Sequence, residues 1–277
     1  AFASVLNAAL DYLFIAIFRW GVAGAAVATV IAQAVSALLC VGYVYRKLPL
    51  LALQGKELRI HKDLLGQTLR HGSVTALQQA TQPIGKLLIQ GMVNELGVAA
   101  IATFNAVSRV DDFAFTPEQS ISHGMMTFIA QNRGAKKKDR VHSGLRVGLT
   151  VEFGYWVIIC LVILLLRTPI MRLFASADQT EMIALGSAYL LRMAFFYIMP
   201  AFTNGMQGFF RGVGNMNITF ISTFIQISIR VICIAIMMPY MGLVAVAYAS
   251  LIGWACMLLF EVPYYFKYKR EGFHLPQ

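Results

Sequence analysis

The sequence predicts an all-α polytopic membrane protein of about eight transmembrane helices, and three observations predict it. Of its 277 residues 58% are hydrophobic and 13% charged, with a mean hydropathy of +0.66, too apolar a balance for a soluble domain. Apolar runs long enough to cross a hydrocarbon layer of roughly 30 Å recur along the whole chain. Their connections alternate between tight and weakly charged and long and basic, the pattern of a chain that crosses repeatedly.

The runs fall at about 1–18, 21–45, 64–95, 98–132, 141–166, 181–210, 217–238 and 243–266. The breaks near 19–21, 95–98 and 239–242 are tight. Segment 46–63 is long and mixes leucines with cations, which suits a cytoplasmic linker lying on anionic headgroups. The break at 133–140 carries Arg133, Lys136, Lys137, Lys138 and Arg140. Most other loop cations, from Arg46 to Lys267, Lys269 and Arg270, share that side, and only Arg19, Arg167 and Arg172 fall on the other. By the positive-inside rule segment 46–63 and the C-terminus are cytoplasmic. The net charge of +10 therefore has a membrane explanation and calls for no nucleic acid.

No secretory signal is visible, since the first residues lack a basic region and a cleavage site. The chain opens without Met inside an apolar run, so a piece of a longer product is expected. Cys40, Cys160, Cys233 and Cys256 lie in apolar runs without metal-ligand spacing and read as small core residues.

An internal repeat organises the chain. Gly24-Ala-Ala-Val-Ala28-Thr29-Val-Ile-Ala32 lines up with Ala245-Val-Ala-Tyr-Ala249-Ser250-Leu-Ile-Gly253, and the basic exits Arg46 and Lys267 correspond. An even number of runs separates the copies, so both point the same way, as in parallel repeats with a substrate path between lobes. Small-residue packing faces that resemble one another by chance are the alternative. The expected division is residues 1–46, the last two helices of an amino-terminal lobe; 47–63, a cytoplasmic linker; and 64–277, a six-helix carboxy-terminal lobe.

Four of the runs carry polar stripes. Along 98–132, Asn105, Ser108 and Arg109, Asp112, Thr116, Gln119 and His123 share one face. A charge at the bilayer centre costs at least about 2.5–3.5 kcal/mol, so such a face must look onto protein or water. Pro117 should bend this helix, and Gly134 is a candidate left-handed cap. On 64–95 the stripe is Gln78, Gln82, Lys86, Gln90 and Asn94. Near a kink at Pro200 it is Asn204, Gln207 and Arg211, and on 217–238 it is Ser222, Gln226 and Arg230. A shared wet cavity follows. Its candidate substrate or cation pathway residues are Gln78, Gln82, Lys86, Gln90, Asn105, Arg109, Asp111, Asp112, Glu118, Asn204, Gln207 and Arg230. Helical rise sets Lys86 at a depth similar to that of Asp111 and Asp112, so it is expected either to pair with one of them or, equally, to leave each ion to a different partner. His123 is the one histidine placed for a proton relay; His61, His71, His142 and His274 read as interfacial.

Several of these residues fall in motifs. Asn7-x-x-x-Asp11-Tyr-x-Phe-Ile, Gln90-x-x-Val-Asn94-x-x-Gly97, Ile101-Ala-x-Phe104, Phe128-Ile-Ala-Gln131-Asn132-x-Gly134-Ala135-x-x-x-Asp139-Arg140 and Phe210-Arg211-Gly212-x-Gly214 occur together, with Gly21-Val-Ala-Gly24-Ala-Ala-Val-Ala-Thr. As a set they resemble the multidrug and toxic compound extrusion (MATE) transporters. The resemblance implies twelve helices in two six-helix lobes, of which this chain would hold the fifth to the twelfth. It implies a bacterial inner-membrane antiporter, expected as a monomer, that expels small amphipathic, often cationic compounds on a proton or sodium gradient. No cofactor is implied beyond that transported ion. The sequence departs from the family where sodium-coupled members carry carboxylates on the seventh and tenth helices, since Gln82 and Asn204 stand nearest those positions. Other members use an acid on the first helix, which this chain does not include. Coupling by Asp111, Asp112 or Glu118 is one reading, and an essential acid in amino-terminal helices outside this sequence is the other.

Enzyme motifs are missing from the sequence: there is no His-Glu-x-x-His, no Ser/His/Asp clustering and no phosphate-cradling loop, and Gly212-Val-Gly214 reads as a turn. The competing function is a lipid-linked oligosaccharide or lipid flippase of similar two-lobe design, which would want a cationic cavity. Arg109, Arg192, Arg230 and Lys86 suit that, whereas Asp111, Asp112 and Glu118 oppose it.

Overall fold

The computed structural model describes residues 2–48, 61–175 and 179–270. Most of segment 46–63, the expected linker, and His274 lie outside the described residues. Every regular element among the described residues is helical. The chain divides into two compact units, Ala1–Leu65 and Gly66–Gln277.

In the first unit α1 (Phe2–Asp11) widens into a π-helical stretch, Tyr12–Ile17, before the tight break and α2 (Gly21–Lys47). The break turns through positive φ at Arg19 and at Gly21, whose φ is 55°. Gly24, Ala28 and Ala32 are the buried positions of α2. A methyl group at Gly24 would come within 3.0 Å of the Phe14 Cβ, so glycine sets how closely the segments approach.

The second unit holds the rest of α3 (Lys62–Asn94), then α4 (Val98–Gly134), α5 (Lys138–Arg172), α6 (Thr180–Phe196), α7 (Ile198–Gly212), α8 (Met216–Met241) and α9 (Val244–Arg270). Here α4 packs on α5, α6 and α7, while α9 packs on α6, α7 and α8. α2, α5, α8 and α9 are each long and apolar enough to cross a membrane, and α6 with α7 makes a fifth span if the bent pair counts as one. α3 and α4 are long as well, but their polar stripes lower their hydropathy below that of a lipid-exposed span. The expected kink near Pro200 is a break of 47° at Tyr197, between α6 and α7. Helix α4 runs unbroken through Pro117.

Each unit uses the repeated positions alike. Gly242, with φ 56°, turns the chain into α9 as Gly21 does into α2. Ala245, Ala249 and Gly253 are buried in α9 where Gly24, Ala28 and Ala32 are buried in α2. Ser250 Oγ donates to the Val246 carbonyl at 2.7 Å, and its counterpart Thr29 Oγ1 donates to the Ala25 carbonyl at 2.9 Å. The hydroxyl bond is general to helical Thr and Ser residues here, Thr81 and Thr103 among them, so the left-handed glycine turn is the more specific of the shared features.

Two expectations need correcting. The left-handed residue after α4 is Lys136 (φ 57°), not Gly134. The helix closes instead with the Lys137 N–H donating to the Asn132 carbonyl at 2.9 Å, a six-residue closure that puts the left-handed position two residues later. After α7 the same closure falls on Gly214 (φ 77°), as the reading of Gly212-Val-Gly214 as a turn requires. Cys160 is buried in the core and Cys233 packs against it, Cys256 is half-buried and Cys40 is exposed, so core packing does not account for all four.

Apolar packing brackets the middle of the second unit. One buried cluster joins Val93, Val107, Tyr189, Ile234 and Leu243 toward the tight turns. The other joins Ile129, Val141, Phe210, Val213 and Tyr268 toward the basic connection. Gln78, Gln82, Gln119, Asn204, Gln207 and Gln226 of the polar stripes occupy the helix lengths in between, whereas Gln90, Asn94 and Asn105 lie at the level of the first cluster.

Candidate functional site

A cavity of about 240 Å³ opens at that middle level. α3 contributes Gln78, Gln79 and Gln82; α4 contributes Phe115, Gln119, Ser122 and His123; α7 contributes Pro200, Thr203, Asn204, Gln207 and Arg211. Thr223, Gln226 and Arg230 of α8 and Trp254 and Met257 of α9 close it. The four-residue spacing puts the cavity-level part of each stripe on one helix face, and the break at Tyr197 brings the α7 stripe opposite α4. Close approach there rests on Gly208 and Gly212. A methyl group at Gly208 would meet the Ser122 carbonyl oxygen at 2.7 Å, and one at Gly212 the Ile129 Cβ at 2.8 Å.

Amides hold one wall together. Gln78 Nε2 donates to Thr223 Oγ1 at 3.0 Å, to the Thr219 carbonyl at 3.2 Å and to Gln207 Oε1 at 3.3 Å. Gln207 Nε2 donates to the same Thr223 hydroxyl at 2.9 Å, and Arg211 Nη2 donates to Gln207 Oε1 at 2.9 Å. Three helices are thereby linked through groups that lipid would leave unsatisfied.

Acidic groups stand behind the cavity and not in its lining. Asn204 Nδ2 donates to Glu118 Oε2 at 3.2 Å, while Glu118 Oε1 is buried without a hydrogen-bond partner. Asp111 accepts hydrogen bonds from the phenols of Tyr197 and of Tyr189, and Arg230 lies within electrostatic range of it. Glu152 of α5 is fully buried, hydrogen-bonds through neither oxygen, and lies within electrostatic range of Glu118. Glu261 of α9, also fully buried, accepts from Ser222 Oγ at 2.7 Å.

Of the expected pathway residues, Gln78, Gln82, Asn204, Gln207 and Arg230 meet at the cavity, and Asp111 and Glu118 sit just outside it. Lys86, Asn105, Arg109 and Asp112 are exposed and do not line it, and Gln90 donates to Asn94 along its own helix at 3.0 Å. The expected pairing of Lys86 with Asp111 or Asp112 is replaced by the two tyrosines on Asp111. Matching depth in two helices does not fix matching rotation. His123, the expected relay, lines the cavity. Glu152 and Glu261 were missed because each is a lone acid in an apolar run. A readable signal existed: Gly144, Gly148 and Glu152 recur every four residues, so the acid shares the face of two glycines that pack against α4.

Residues 75–237, more than half of the chain, match the sequence profile of the MatE family. The chain belongs to the MatE family. It is 29% identical over 217 residues to the probable multidrug resistance protein YpnP of Bacillus subtilis, covering 78% of this chain and 48% of that one. With the probable multidrug resistance protein NorM of Thermotoga maritima it shares 27% identity over 80% of this chain and 48% of that one. With an FAD transporter of Shewanella oneidensis it shares 26% identity over 64% of this chain. The chain thus spans about half the length of the curated relatives it matches. An outward-facing MATE family multidrug resistance transporter of the MOP superfamily superposes with a TM-score of 0.89 at 18% identity, over 97% of this chain and 61% of that one. A MOP superfamily transporter from Pyrococcus furiosus gives 0.87 at 19% identity, over 96% and 60%. At such identities the structures speak for the fold. MatE proteins are membrane transporters and not enzymes, so the helices of this chain are those of a multi-pass membrane protein.

Proposed function

We propose that the MatE protein to which this chain belongs is a secondary active multidrug exporter of the bacterial inner membrane. It exchanges small amphipathic compounds for protons or sodium ions by alternating access between two lobes. In this reading residues 1–46 close one lobe, 47–63 link the lobes along the cytoplasmic face, and 64–277 form the second lobe with its C-terminus in the cytoplasm. The observation that carries it is the polar cavity of the second unit, walled by hydrogen-bonded amides between two apolar clusters. Lipid-facing helices have no use for such a lining, whereas a passage for water and solutes requires one.

Ion coupling is assigned to the buried acids next to this cavity, with Glu118 foremost. Its link to Asn204 joins a carboxylate to the wall at a family position where sodium-coupled members carry the acid themselves. The test is export of ethidium by the full-length protein in inverted membrane vesicles energised by a proton gradient or a sodium gradient. Export on one of the two that falls in Glu118→Gln supports the reading; export that neither gradient drives rejects it. A flippase for a lipid-linked diphosphate is the second reading, favoured by Arg211 and Arg230 in the lining. It predicts no dye export, and a defect in envelope-lipid translocation when the gene is deleted.

A further inference from the structure

Charge and hydrogen-bond capacity in the cavity lining are unevenly distributed. Among the described residues no carboxylate lines the cavity, although two arginines, Arg211 and Arg230, do. The nearest acids are turned to other partners: Glu118 to Asn204, Glu261 to Ser222, and Asp111 to Tyr197 and Tyr189. Two acceptors on the amide wall are already taken. Gln207 Oε1 takes hydrogen bonds from Gln78 and Arg211, and Thr223 Oγ1 takes them from Gln78 and Gln207. Arg230 is the contrast, because its Nε–H is buried without a hydrogen-bond partner. Facing the same space are the rings of Phe115 and Trp254, packed edge to face with centroids 5.9 Å apart.

We infer that this cavity is a subsite for an organic anion, an aromatic ring bearing a carboxylate, sulfonate or phosphate group, with Arg230 holding the charge and the Phe115–Trp254 wall holding the ring. The inference rests on the reading of the cavity as part of the substrate path, and it adds an anion-holding subsite to that path. A guanidinium in a low-dielectric wall has its strongest interaction with an anion able to accept two parallel N–H bonds. A cationic ligand would instead meet two positive side chains in the lining, with Asp111 and Glu261 set behind them and turned to other partners. The volume is below the roughly 300–1,000 Å³ of a full drug pocket, so it fits one charged ring and leaves the remainder of a larger ligand outside.

The test is binding by the purified full-length protein in nanodiscs, read by fluorescence anisotropy with two xanthene dyes of opposite charge, carboxyfluorescein and pyronin Y. In phosphatidylcholine discs carboxyfluorescein should bind more tightly than pyronin Y. Arg230→Gln should weaken carboxyfluorescein by about tenfold or more, the scale of one charge-assisted hydrogen bond. Arg230→Lys, which keeps the charge without the fork, should fall between. Phosphatidylglycerol discs separate the sources of the anion: competition there assigns the subsite to a lipid headgroup, and its absence assigns it to a soluble anion. Tighter binding of pyronin Y, or carboxyfluorescein affinity equal in the wild type and Arg230→Gln, overturns the inference. Should Arg230→Gln not fold, as judged by thermal unfolding, the wild-type comparison of the two dyes and the Lys variant decide. Binding is measured without a gradient, so failure of ethidium export would reject the exporter reading and leave this one standing.

Discussion

Asn204 Nδ2 stands 3.2 Å from Glu118 Oε2, tying the second half of the broken helix to α4 at a carboxylate whose other oxygen has no hydrogen-bond partner. The contact joins an amide in the cavity lining to an acid just behind it. A change of charge at Glu118 therefore reaches the lining through a single hydrogen bond.

Replacing Asn204 by Leu removes that bond and leaves a buried acid unsupported. Leaving a buried polar group without its hydrogen bond costs about 1–3 kcal/mol, so export should fall roughly tenfold while the protein still inserts. Ethidium export in inverted vesicles checks this, and wild-type rates in Asn204→Leu would remove the contact from the coupling route.

The two phenols on Asp111 act on the same carboxylate and should not be independent. Tyr189→Phe or Tyr197→Phe leaves one donor in place; the double variant leaves none. The double loss in stability should exceed the sum of the single losses by about 0.5–3 kcal/mol. Thermal unfolding of the four proteins in detergent measures it, and strict additivity would count against a shared role.

Close approach of α7 to α4 predicts a steric effect at Gly208. Valine there must push against the Ser122 carbonyl oxygen, only 2.7 Å from the first added carbon. A cost of about 1–3 kcal/mol is expected, seen as a lower unfolding temperature. Gly154→Ala is the control, since nothing lies within 4 Å of its added methyl group. Equal unfolding temperatures for the two variants would refute the packing argument.

Ser222 and Glu261 offer a test of buried polarity. Ser222→Ala strips a fully buried carboxylate of its 2.7 Å donor and should cost about 1–3 kcal/mol. Adding Glu261→Met removes the stranded acid and should restore part of the loss. Further destabilisation in the double variant would show that Glu261 has a second structural role.

Much of this architecture was legible because lipid imposes a coarse and strict code. Only apolar runs long enough to span survive, their loops sort by charge, and small residues mark close helix contacts. The repeat from Gly24 to Ala32 and from Ala245 to Gly253 could be read for the same reason, and in both copies the three small positions are buried. The polar stripes likewise named Gln78, Asn204, Gln207 and Arg230 as residues of one cavity.

Rotation was not legible. A stripe states which residues share a face, but the neighbour that face meets depends on helix contacts made far along the chain. Asp111 therefore found Tyr197 and Tyr189 where Lys86 had been expected, and Glu152 entered the site from an apolar helix through glycines packed on α4. The sequence by itself determined that this is a membrane protein of long helices with inward polar faces, because burying unpaired charge in lipid is too costly for any other arrangement. Only the tertiary structure decided which charges those faces neutralise and which they leave open, because a hydrogen bond depends on the rotation of two helices about their axes, and hydropathy along one chain carries no record of it.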